Sequence, residues 1–216
     1  MKRRASTFRA KGAAFTLIEV IVVVGLIALL AGGLGLAFRG GERAVALQTG
    51  QRTLAGLAAA ARGQAAVSGR NAGLLVVSDL GSPGDHLRRL VVAARSPVDG
   101  AWIPIDAWIT LPVGVALLPP VTPTGALVGV DDDWSGLRSH AFTTATESCD
   151  GIPCHVLSFT PRGTVAGLGG ALILAPVTGL PPGAGAPHRY EQPEAVRGLL
   201  VSSYGQVTFV ETRDGF

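Results

Sequence analysis

Residues 15–38 read FTLIEVIVVVGLIALLAGGLGLAF, apolar throughout except for one carboxylate, Glu19. Arg39 and Arg43 follow. At about 1.5 Å per residue, a helix of this length crosses a hydrocarbon core of about 30 Å. Val, Ile, Leu and Ala leave no polar face, which excludes an amphipathic helix lying on a surface. The preceding residues 1–14, MKRRASTFRAKGAA, carry Lys2, Arg3, Arg4, Arg9 and Lys11 and no acid. Positive flanks stay cytoplasmic, so the run is expected to point its C-terminal end outward and to anchor everything after it. A secretory signal peptide also opens on a basic region, and Ala28, Ala31 and Gly33 offer small residues for a cut after the apolar run. That alternative leaves Glu19 without a purpose.

A carboxylate inside a membrane helix costs on the order of 2.5–3.5 kcal/mol. Either Glu19 reaches water at the cytoplasmic headgroups, or it meets a partner charge. The segment Phe15-Thr16-Leu17-Ile18-Glu19-Val20 resembles the start of type IV pilins and type II secretion pseudopilins. The resemblance implies that a prepilin peptidase cuts between Ala14 and Phe15 and that the new amino terminus of Phe15 is methylated. It also implies that Glu19, then the fifth mature residue, pairs with the terminal amine of a neighbouring subunit during assembly. Opposite charges in a low dielectric attract strongly and relieve each other's burial cost. The chain departs from the family pattern in two ways: Ala14 stands where Gly is usual before the cut, and the apolar run lacks the usual Pro. Gly32, Gly33 and Gly35 are expected to loosen the helix instead.

Charge separates the leader from the rest. The chain holds 18 Lys and Arg against 15 Asp and Glu; removing the five leader cations leaves 13 against 15, a net of −2. The overall pI of about 9.3 therefore misdescribes the exported part, and nucleic acid is an unlikely partner. Gly and Pro are abundant and aromatics few, which suits one loop-rich β domain of ordinary size.

Helical character resumes after Gly40 and Gly41, which are expected to weaken or bend the helix. Leu47, Leu54, Leu57, Ala58, Ala61 and Ala65 fall on one face, Arg43, Gln51, Arg52, Arg62 and Gln64 on the remainder, and Gly69 ends the element. Residues 39–70 are thus the amphipathic continuation of the membrane helix. From Gly73 the period changes. Strands are expected at 74–77, 90–93, 102–109, 113–118, 155–160, 171–177, 198–203 and 206–210. Pro104 confines its strand to an edge, residues 81–85 and Gly205 make turns, and 179–193 reads as a surface loop.

The order of later segments resembles the GspH/FimT branch of the same family: LAAAARGQAAVSGRNAGLLVV (57–77), ITLPVGVAL (109–117), LSFTPRGTVAGLGGALIL (157–174) and GLLVSSYGQVTFV (198–210). Arg162 replaces an Asp common in that branch's turn. The resemblance implies an α+β, pilin-like fold, in which a long N-terminal helix packs on a small antiparallel β-sandwich formed by residues 71–216 in the periplasm.

Cys149 and Cys154 enclose Asp150-Gly151-Ile152-Pro153. In an oxidising compartment the pair is expected to form a disulfide. A zinc site would recruit His140 or His155 but lacks a second ligand pair, and the spacing is not that of a redox-active C-x-x-C. Asp131-Asp132-Asp133 does not match a spaced calcium pattern and reads as a solvated acidic turn. His86, His140, His155 and His188 are scattered and expected to be solvated in loops. No Gly-x-Ser-x-Gly, His-Glu-x-x-His or phosphate-cradling loop occurs. No enzyme, cofactor or metal is expected.

The expected role is that of a GspH-like minor pseudopilin of a type II secretion pseudopilus, inserted in the inner membrane, processed and assembled. Its partners would be other pseudopilins or pilins, the prepilin peptidase, an inner-membrane assembly platform and membrane lipid. Two alternatives remain open. A FimT-like minor pilin in DNA uptake or adhesion would need a basic C-terminal patch, where Arg189, Arg197 and Arg213 are offset by Glu191, Glu194, Glu211 and Asp214. A membrane-anchored periplasmic binding module or enzyme that never assembles would tolerate Glu19→Ala.

Overall fold

A computed structural model describes residues 16–120, 140–181 and 187–216; the side chains of residues 31–40 lie outside that description. The leader, Phe15 and the 131–133 acidic turn also lie outside it. One helix, α1, covers Leu17–Ser68, and Gly40 and Gly41 continue it rather than break it. It stops where expected, with Gly69 in the left-handed region at φ 63°. Two compact units divide the chain, Met1–Gly41 and Glu42–Phe216.

In the first unit Leu17, Ile18, Ile21, Leu26 and Leu29 are all exposed, Leu17 at 79%. Among the described residues no helix is long and apolar enough to cross a membrane.

In the second unit α1 supplies the spine of a β-rich domain. Eleven strands follow: β1 Ala72–Val77, β2 Arg89–Arg95, β3 Trp102–Pro104, β4 Ile109–Thr110, β5 Val115–Leu117, β6 Glu147–Cys149, β7 Ile152–Phe159, β8 Gly170–Gly179, β9 His188–Tyr190, β10 Arg197–Val201 and β11 Val207–Val210. Two sheets result. In the first, β1 pairs with both β2 and β7, β2 with β3, β3 with β6 and β6 with β7, so five strands close on themselves; β4 hangs on β2. The second has the order β11-β10-β8-β5, with β9 extending β8.

This corrects the expected antiparallel sandwich. The first sheet is a barrel-like ring, and one of its contacts, Trp102 with Cys149, is parallel. The physical cause lies in β1, whose six residues are all buried. Both faces of a strand must then be covered. Leu74 and Val76 face α1 together with Leu90, Val92, Leu157 and Phe159. Leu75 and Val77 face the ring interior with Val91, Ala93, Trp102, Val156 and both cysteines. Gly73 makes room there: a Cβ would stand 2.9 Å from the Leu157 carbonyl oxygen and 3.2 Å from the Trp102 ring.

The largest core is centred on the helix rather than between two sheets. Leu47, Leu54, Ala58, Ala61 and Ala65 meet the outer face of the ring and also Leu172, Leu174, Leu199 and Val201 of the second sheet. The far face of that second sheet carries its own cluster, including Ile173, Tyr190, Val210 and Phe216. Gln51, expected on the solvent side, lies on the core face and is 3% exposed. Its Nε2 donates to the carbonyl oxygens of Gly198 at 2.7 Å and Val210 at 2.9 Å, tying the helix to β10 and β11. Arg88 ties the sheets together: its guanidinium donates to the carbonyls of Leu111, Pro112 and Val115 at 3.2–3.3 Å.

The expected 102–109 strand splits into β3 and β4. Pro104 closes β3, which pairs on one side with β2 and on the other with β6. The expected 179–193 loop contains β9, whose Tyr190 hydroxyl donates to the Leu117 carbonyl at 2.6 Å.

Candidate functional site

The first turn of α1 holds the residues expected to govern assembly. Thr16 precedes the helix and caps it: the Glu19 amide donates to the Thr16 carbonyl at 3.1 Å, with the Thr16 hydroxyl oxygen at 3.4 Å. A threonine here satisfies a donor that the helix cannot. Glu19 is exposed in this first turn, where a carboxylate complements the positive end of the helix dipole. The expected cut site, Ala14/Phe15, and the expected methylation at Phe15 fall on residues outside the described ones.

Cys149 and Cys154, the pair expected to form a disulfide, are both buried and are not joined in this structure. Across the β6–β7 ladder Cys149 faces Ile152 while Cys154 faces Glu147, so the thiols stand diagonally rather than opposite. Burial in the ring pushes the Cys149 thiol up to about 11 and Cys154 to about 12, the neighbouring Asp150 and Cys149 adding to each. They are protonated and unreactive at neutral pH. The ring is closed over them at its rim, where Glu147 accepts from the Trp102 indole at 2.8 Å and pairs with Arg95.

None of the four histidines is fully exposed: His86, His140 and His155 are half-buried. His188 is buried, and its Nε2 lies 3.0 Å from the His86 carbonyl oxygen. The His86 and His188 rings are 6.2 Å apart. Among the described residues, Nδ1 of His86, His140, His155 and His188 is buried without a hydrogen-bond partner. Burial, then repulsion from His188, pushes His86 down to about 4; burial, then His155, does the same for His140. Among the described residues no three His, Cys, Asp or Glu side chains come together to hold a metal ion.

Of the three arginines in the C-terminal patch required by the nucleic-acid alternative, Arg213 meets Glu194 at 3.2 Å; Glu191 meets Arg43, outside the patch, at 3.5 Å.

Residues 9–35 match the family model of the prokaryotic N-terminal methylation motif. The N-terminal segment carries that motif. The match spans the end of the leader, Ala14, Phe15, Glu19 and most of the apolar run. No curated protein matches the chain. Two solved structures of the minor pseudopilin EpsH from the type 2 secretion system of Vibrio cholerae are similar. One is 15% identical with a TM-score of 0.43, covering 76% of this chain and 96% of its own. The other is 16% identical with a TM-score of 0.43, covering 77% and 94%. A likeness of that degree carries no conclusion about this chain's role.

Proposed function

We propose that the chain is a minor pseudopilin, a structural subunit of a type II secretion pseudopilus whose work is assembly rather than catalysis. The observation that carries this reading is the methylation motif, which runs directly into α1. The prepilin peptidase cuts between Ala14 and Phe15, the Phe15 amine is methylated, and the 1–14 leader stays on the cytoplasmic side. Residues 15–38 then hold the subunit in the inner membrane with residues 71–216 in the periplasm.

The exposed surface of residues 17–30 supports this reading. An apolar helix surface broken by a single carboxylate, Glu19, suits lipid or other apolar helices. In a filament the same residues exchange lipid for neighbouring subunits, and Glu19 fixes the register by pairing with the methylated amine of a neighbour. The arrangement is pilin-like in that one helix serves first as anchor and then as spine of the exported domain.

The test is incorporation into sheared filaments from cells that express a pseudopilus. Wild-type protein is expected in the filament fraction, and Glu19→Ala is expected to remain in the membrane with the exported domain folded. Equal incorporation of Glu19→Ala would refute the register role. Absence of both proteins from filaments would favour an anchored module that never assembles.

A further inference from the structure

An open groove of about 470 Å³ lies between the last turns of α1 and two glycine turns of the β region. Ala59 and Ala66 line it from the helix, Pro161 and Val207 from the strands, and Arg62 and Arg162 from either side; no Asp or Glu does. Arg43, Arg89, Arg95 and Arg213 in the same unit each meet a carboxylate. Among the described residues Arg62 and Arg162 have no ion pair, hydrogen bond or ring contact.

Arg62 is nonetheless seated. Its side chain lies against Gly163 and Gly205, which hold φ of 76° and 72°. A Cβ on Gly163 would stand 3.0 Å from Arg62 Nε, and one on Gly205 would stand 2.2 Å from the Gly163 carbonyl oxygen and 3.2 Å from Arg62 Nε. Two side-chain-free turns therefore close around the arginine, and the seat consumes none of its charge. A guanidinium held without a counter-ion beside a second, on an otherwise uncharged groove, is ready for an anion.

We propose that this groove is a docking site for an acidic peptide segment of a partner protein, with one or two carboxylates on Arg62 and Arg162 and small apolar side chains on Ala59, Ala66, Pro161 and Val207. The apolar walls favour a peptide over a polyanion. So does the charge of the chain beyond its leader, 13 cations against 15 anions, which creates no broad positive field to gather phosphates. The inference uses no part of the N-terminal segment, so it stands or falls apart from the filament reading.

The test uses the full chain in detergent micelles and two random peptide libraries that differ only in a fixed central Glu or Gln. The Glu library is expected to be retained about tenfold better. The Arg62→Gln/Arg162→Gln variant is expected to lose that preference with its thermal midpoint unchanged, and the corresponding double Lys variant to keep part of it. Should the double Gln variant misfold, Arg162→Gln alone decides, because that side chain is exposed on a turn. No preference for Glu, or a preference that survives the Gln substitutions, would overturn the proposal. So would a fluorescent single-stranded oligonucleotide that binds through these two arginines and is not displaced by the Glu library.

Discussion

Replacing Gln51 by Met removes one buried amide while keeping the side chain's length and most of its volume. The amide makes two hydrogen bonds, of 2.7 and 2.9 Å, to carbonyls on neighbouring strands. A net loss of about 1 kcal/mol per bond is typical, and leaving an acceptor buried and unpaired costs about 1–3 kcal/mol. Each carbonyl has a second lone pair, so the lower part of that range applies and the sum is about 2–4 kcal/mol. For a domain of this size each kcal/mol moves the thermal midpoint by about 2–4 °C. Gln51→Met is therefore expected to melt about 4–16 °C lower, followed by near-UV circular dichroism of the protein in micelles. Gln51→Glu is expected to melt lower still at neutral pH, because a carboxylate then faces two carbonyl oxygens. Arg52→Ala, one position along on the exposed side, serves as the control and is expected to shift the midpoint by about 1 °C or less. A Met variant indistinguishable from that control would refute the claim that Gln51 clamps the helix to the second sheet.

Gly198→Ala is expected to cost at least about 3 kcal/mol, seen as loss of folded protein or a large fall in denaturant midpoint, since its Cβ would stand 2.0 Å from the Leu172 carbonyl oxygen and 2.9 Å from the Phe216 ring. Acid should destabilise the domain in a defined window. His86 and His140 titrate near 4 in the fold against 6.5 when free, so the unfolded chain binds more protons between those values. Their contribution is complete above about pH 6.5 and lost as pH falls towards 4, by up to about 3 kcal/mol for each histidine, and a pH series of midpoints on His140→Gln should be flatter than wild type. A thiol reagent should leave Cys149 and Cys154 unmodified in the native protein and label both once it is denatured without reductant; no label after denaturation would mean that the disulfide forms after all.

The helix face was legible because Leu47, Leu54, Ala58, Ala61 and Ala65 recur at helical spacing, and Gly69 marked its end. Gln51 was not, because a polar side chain at a core position is explained only by the two carbonyls that chain folding brings to it. The long strands read directly from apolar runs such as 74–77 and 171–177. Closure of the ring did not, since it depends on β1 taking two partners and on the single parallel contact at Trp102. The clue was present in the unbroken apolar character of 74–77 and 90–93, which alternation with solvent would not produce. Strands β6 and β9 have three residues each, too short to show a period, and β9 is set in a stretch rich in Gly and Pro. The methylation motif was readable because its pattern is local: basic residues, Phe15, and Glu19 alone in an apolar run. The Arg62 groove was hidden, because its two arginines are a hundred residues apart in the chain and only the fold gives them a common wall.

The central claim is most directly tested by the mass and N-terminal residue of the protein recovered from membranes of cells with an active prepilin peptidase. An N-terminal methyl-phenylalanine at position 15 is the predicted result, with Ala14 accepted in place of Gly before the cut. A chain that still begins at Met1, or one that begins after residue 28 as a secretory signal peptide would leave it, would contradict the filament-subunit account.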